Sequence, residues 1–213
     1  TFSVSTKALT GVDEDTTTTA TKVSDLLSDL GYADVENATG GIAITAAEGA
    51  GSWQYSSDGT NWFDVATVSS SASLLLSADA FTRYVPDNKN GETDAELIVR
   101  AWDGTAGAAS SGSTRQTADT NSNGGAQAYS SATGTVTVDV SAVNDAPTIS
   151  KGAAYNMKAI NEDSISTALT VSDLLADAGY ADIDTGAVSG IVITSATGNG
   201  TWEYSADGSS WLA

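Results

Sequence analysis

The sequence predicts an all-β protein made of β-sandwich modules in tandem, with one short helix per module. Three observations lead there. The chain repeats itself at a spacing of 148 to 149 residues (161 − 13 and 190 − 41). The repeated stretches are short runs of β-branched and aromatic residues separated by Gly, Asn and Asp. The composition supplies 5 Trp and 7 Tyr in 213 residues, enough to give a core to an otherwise Ser/Thr/Gly/Ala-rich chain that could have been disordered.

The repeat organises everything else. Residues 13–40 align with 161–188 and, after one extra residue (Ser189), 41–64 align with 190–213; 27 of these 52 positions are identical. VSDLLSDLGYADVE answers VSDLLADAGYADID, GIAIT answers GIVIT, and WQYSSDGTNW answers WEYSADGSSW. Residues 1–146 then read as one complete module and 147–213 as the N-terminal part of a second, truncated copy, joined through VNDAPTIS. The first residues, TFSVSTKALT, already alternate like a strand, so the chain reads as a slice from something longer.

Each element of the first module has its own signature. SVSTKAL (3–9) alternates like a strand. VSDLLSDLG (23–31) is a helix that Ser24 would cap, Val23 would staple to Leu27 and Gly31 would end. GIAITAA (41–47), SWQYS (52–56) and NWFDVA (61–66) are strands. A two-residue turn at Asp58-Gly59 would set Tyr55 opposite Trp62, with Trp53, Tyr55 and Trp62 on one face. That hairpin is expected to belong to the core; exposed, its rings would make a sugar-stacking platform. SASLLLSA (71–78), FTRYV (81–85), the turn PDNKNGE, AELIVRAW (95–102) and the strictly alternating GTVTVDVSAV (134–143) complete the series. Between the last two, residues 104–133 are polar and Gly/Ser-rich, and read as a long loop or projecting hairpin. About seven short strands with turns between them suggest an immunoglobulin-like or cadherin-like sandwich.

Composition narrows function by exclusion. With 27 Asp+Glu against 8 Lys+Arg the formal net charge is −19, which repels nucleic acid and anionic membrane surfaces. No His and no Cys are present, which argues against zinc, haem or thiol chemistry and His-based triads. No apolar run is long enough to insert into a membrane. Without disulfides a secreted chain needs another staple, and Ca²⁺, which takes carboxylate and carbonyl oxygens, fits an acidic sequence.

The carboxylates cluster at the expected module ends. Asp13-Glu14-Asp15 follows the first strand and is matched by Asn161-Glu162-Asp163. Asp34 and Glu36 follow the helix and are matched by Asp182 and Asp184, while Asp103 ends the long strand and Asn144-Asp145 forms the linker. Alternate spacing puts two carboxylates on one side of an extended segment, able to grip one hard cation. If modules stack end to end, Asn144 and Asp145 would meet Glu162, Asp163, Asp182 and Asp184 at the junction, and such repelling groups gather only around a cation. The plain alternative is an acidic loop in water, with Asp and Asn chosen for turns.

VNDAPTI between modules, NED at the opening of the next, GxWxYSxDGxxW, RYVPDNKNGETDAELIVRAWD and SNGGAQAYSSATGTVTVDVSAVNDAP together resemble the cadherin-like tandem repeats of giant bacterial surface proteins. These are the RTX-type adhesins, exported by Gram-negative bacteria. The resemblance covers nearly the whole chain. It implies extracellular β-sandwich extender modules in series, stiffened by Ca²⁺, with neighbouring modules of the same polypeptide as partners. Carried over by position, it implies Glu14, Asp15, Asp34, Glu36 and Asp103 as ligands of the first module. At the junction it implies Asn144, Asp145, Glu162, Asp163, Asp182 and Asp184. The leading expectation is therefore a structural adhesin or fibre module at the cell surface, not an enzyme. The alternatives are a carbohydrate- or peptide-binding module, or a filament subunit whose half-module another copy of the chain completes.

Overall fold

The computed structural model describes residues 1–34, 40–152 and 155–213, and of residues 92–94 the backbone alone. The protein is mostly β-sheet, with two short helices and several sheets. The described residues fall into two units, Thr1–Asp145 and Ala146–Ala213.

The first unit contains β1 (Thr6–Ala8), β2 (Val12–Asp13), β3 (Thr21–Lys22), α1 (Val23–Asp29), β4 (Gly41–Glu48), β5 (Ser52–Ser56) and β6 (Phe63–Asp64). After them come β7 (Ser73–Ser77), β8 (Phe81–Val85), β9 (Glu92–Trp102), β10 (Thr117–Ala118) and β11 (Tyr129–Ser141). Among the described residues these make a seven-stranded sheet, ordered β1-β11-β9-β4-β7-β10 with β2 also on β11, and a four-stranded sheet, β3-β8-β5-β6. β1 and β2 run parallel to β11; the other pairings in both sheets are antiparallel.

Alternation explains the core. On β9 and β11 every second residue (Ala95, Leu97, Val99, Ala101; Val136, Val138, Val140) is buried. With Ile42, Ile44, Leu74 and Leu76 they form one cluster with Trp53, Tyr55 and Tyr84 of the other sheet and with Val23, Leu26, Leu27 and Leu30 around α1. Burying each such aliphatic side chain contributes roughly 1.5–3 kcal/mol. Helix α1 starts directly from β3, so Lys22 occupies its cap without a side-chain bond, and Ser24 is not the cap as the sequence suggested. Gly31 does close it, at φ +63°, donating to the Ser28 carbonyl.

Two further expectations are corrected. The hairpin register pairs Tyr55 with Phe63 and Gln54 with Asp64, one residue away from the two-residue turn. The reason is Asp58, whose Oδ1 accepts from Thr60 N and Asn61 N, both at 2.8 Å, and whose Oδ2 accepts from Asn61 Nδ2 at 2.8 Å. This wider side-chain-built turn shifts the return strand by one position and turns Trp62 to the opposite face. There Arg83 lies 4.1 Å over its ring. Trp53 and Tyr55 remain buried.

The second correction concerns residues 104–133, which do not project. Residues 104–128 fold back as a strap over β7, and 129–133 already belong to β11. Ser110 N donates to the Leu75 carbonyl, β10 pairs with β7, and Ser73 and Thr120 share a buried hydroxyl contact of 2.9 Å. Tyr55 Oη reaches the Gly112 carbonyl at 3.0 Å, and Arg115 the Val65 carbonyl at 2.6 Å. The strap closes a second apolar cluster of Ala43, Leu75, Trp102 and Tyr129, on the face of the large sheet away from the main core. A polar strap thereby blunts a sheet edge.

The second unit holds β12 (Thr148–Ile149), α2 (Val171–Ala178) and β13 (Tyr180–Ala181), with β12 and β13 paired antiparallel. Thr170 caps α2 by accepting from Asp173 N, and Gly179 ends it at φ +67°. GIVIT (190–194) is not a strand, although its counterpart is β4. β4 is held between β7 and β9, and among the described residues 190–194 has no such partners. Val192 is accordingly 89% exposed, and Trp202 59%. No helix among the described residues is long and apolar enough to cross a membrane.

Candidate metal centre

Glu14 is the only expected ligand that the fold buries completely among the described residues. β2 docks on β11 through Val12–Val140 and Asp13–Ser141, and Glu14 N then donates to the Ser141 carbonyl at 3.0 Å. β2 ends there in a turn, closed by Thr16 N donating to the Asp13 carbonyl at 2.9 Å, which leaves Asp13 and Asp15 exposed and Glu14 buried. Glu14 Oε1 accepts from Val143 N at 2.9 Å, which ties the side chain to the exit segment. Its Oε2 is buried with no hydrogen-bond partner. A carboxylate oxygen of Asp145 lies within 4.8 Å of one of Glu14. Two oxygens can share one Ca²⁺ when they lie within about 5 Å, twice a Ca–O distance of about 2.3–2.6 Å. Asn144 is exposed, and its amide donates to the Asp145 carbonyl at 2.9 Å.

A second group forms where the chain enters this unit. The Thr1 amino group donates to the Ala33 carbonyl at 2.7 Å, next to the exposed Asp34. Tyr32 Oη donates to Asp34 Oδ2 at 3.4 Å. Burial first, then the nearby charge of Asp34 and its hydrogen bond, then Asp103, push the Tyr32 phenol up to about 12. The charges of Asp34 and Asp103, 69 positions apart in sequence, thus both act on Tyr32. Asp103 also accepts from Thr105 N and Thr105 Oγ1 at 2.8 and 2.7 Å. Glu36 lies outside the described residues.

In the second unit Asp182 accepts from Tyr180 Oη at 3.1 Å through Oδ2 and from Asp184 N at 3.1 Å through Oδ1. The geometry repeats that of Tyr32 and Asp34. Glu162 and Asp163 are exposed, on a turn closed by Ser164 N donating to the Asn161 carbonyl. The first unit therefore brings Glu14 together with Asp145, whereas Asp15 and Asn144 are exposed. Two participants were not singled out from sequence: the Val143 amide and the Gly-Tyr-Ala-Asp tyrosines. The signal for the tyrosines was present, since GYAD is identical in both copies. No protein-family model matches the chain, and neither curated proteins nor solved structures give a match.

Proposed function

We propose that the chain is a structural extender of a bacterial cell-surface adhesin or extracellular fibre. In this reading it consists of cadherin-like sandwich modules in series, and Ca²⁺ bound at the module ends stiffens them. The observation that carries the reading is the Glu14 carboxylate, with one oxygen on the exit-segment amide and the other buried without a partner. Leaving a buried polar group unpaired costs about 1–3 kcal/mol, and more when it is charged. A hard cation shared with Asp145 removes that cost and fixes the segment that leaves the module. The large acidic excess and the lack of any disulfide support the same reading.

Calorimetric titration of the full chain with Ca²⁺, with Mg²⁺ as control, tests it. The expected result is Ca²⁺ binding that Mg²⁺ does not reproduce and that Glu14→Gln weakens at least about tenfold, or about 1.4 kcal/mol. Gln keeps the acceptor for Val143 N and loses the charge, so equal affinity in the variant would remove Glu14 from the site.

A second reading has its own observation. The second unit exposes Ile165, Val188 and Val192 almost fully. Another copy of the chain could cover such residues and build a filament. Sedimentation that stays monomeric across a wide concentration range would count against it.

A further inference from the structure

The way β1 and β2 meet β11 has a mechanical consequence. Both run parallel to β11: Thr6, Lys7 and Ala8 face Thr135, Val136 and Thr137, and Val12 and Asp13 face Val140 and Ser141. The first and last strands of the unit are therefore neighbours, and the chain enters and leaves at opposite ends of their contact. Tension applied along the chain would slide β1 and β2 lengthwise along β11. The bonds that resist this sliding run the length of the contact. Thr135 N donates to Ser5 O at 2.8 Å, Leu9 N to Thr137 O at 2.9 Å and Glu14 N to Ser141 O at 3.0 Å. Val143 N to Glu14 Oε1, at 2.9 Å, extends the row beyond the last strand residue. Gly11, in the link from β1 to β2, permits close approach to β11, since a Cβ there would sit 3.0 Å from the Asp139 carbonyl.

We infer that residues 5–14 on residues 135–143 form a shear-loaded clamp, and that bearing tension through this clamp is a function of the unit. Sliding loads all the bonds of the row together, whereas peeling breaks them one after another. Forced unfolding is governed by the unfolding rate, so simultaneous loading of the row sets the resistance. The inference deepens the extender reading and depends on it only for the direction of the load.

The chain has no cysteine, so pulling handles can be placed at will. Single-molecule pulling on the full chain would compare two pairs of attachment points. Thr1→Cys with Ala146→Cys loads the clamp in shear. Lys89→Cys with Ala146→Cys instead unzips β11 from β9 starting at one end, because β9 begins opposite Val140 and Gly91 abuts the Ala142 amide. Both experiments run in chelator, so neither depends on a cation. The expected result is a rupture force roughly twofold or more higher in shear than in peeling. Leu9→Pro, which removes the donor to Thr137 O, should lower the shear force and leave the peeling force unchanged; its thermal midpoint checks that it folds. Equal forces in the two geometries would overturn the inference, whatever Leu9→Pro does. That outcome would leave the cation reading standing, because titration with Ca²⁺ tests it separately.

Discussion

At the residue scale, the two informative carboxylates differ in what holds them. Asp58 is exposed, and its neighbours hold it well below the usual carboxylate range: first the Asn61 side chain, then the Asn61 and Thr60 amides, then Ser56. Asp207 repeats the arrangement with the Ser210 and Ser209 amides and the Ser205 hydroxyl, and is lowered to about 2. A depressed carboxylate stabilises the fold fully above its ordinary value, near pH 4, and that contribution is lost as pH falls through the folded value. Asp58→Asn keeps an acceptor for both amides and cannot titrate. Its stability to urea should therefore fall less steeply than that of the wild type between about pH 4 and pH 2; parallel curves would show that the turn contributes nothing ionic. The Asp-Gly turn was plain in the sequence. Its length was not, because three residues beyond Asp58 decide how wide the loop is. Glu14 was legible as an acidic residue at a module end, but not as a buried one. Its partner Val143 lies 129 positions away, and the exposed Glu162 has the same local sequence, Glu-Asp, but no such partner among the described residues.

At the scale of elements, the strands were read best where alternation was strict. GTVTVDVS lies within β11 and AELIVRAW within β9 for this reason. β2, β3 and β10 are two residues each and carry no periodicity to read. The strap is not legible because its composition is polar, whereas its attachment depends on Ala43, Leu75 and Trp102 outside it and on scattered small residues within it, Ala109, Ala118 and Ala128. Trp102 shows how: it is buried, and its indole N–H donates to the Ala106 carbonyl at 2.7 Å. Trp102→Ala should destabilise the protein by about 3–5 kcal/mol in urea unfolding. It should also open residues 104–128 to limited proteolysis before the rest of the unit unfolds. Unchanged cleavage of this segment would mean that the hydrogen bonds to β7 hold the strap without the apolar cluster.

At the scale of the whole molecule, the repeat carries the account. It led to the expectation of one complete module and part of a second; the Tyr32–Asp34 and Tyr180–Asp182 contacts recur in both units, whereas GIVIT does not repeat the strand of its counterpart. The strand state of GIVIT was not legible, since five residues cannot say whether neighbouring strands will receive them. What remains is the claim that the acidic ends exist to hold a cation, and thermal unfolding of the full chain tests it most directly. Midpoints would be compared in excess Ca²⁺, in excess Mg²⁺ and in chelator. A ligand at about 100 times its Kd that binds only the folded state adds roughly 2.7 kcal/mol. The expected result is a rise in midpoint with Ca²⁺ that Mg²⁺ does not reproduce. The same midpoint in all three solutions would contradict it.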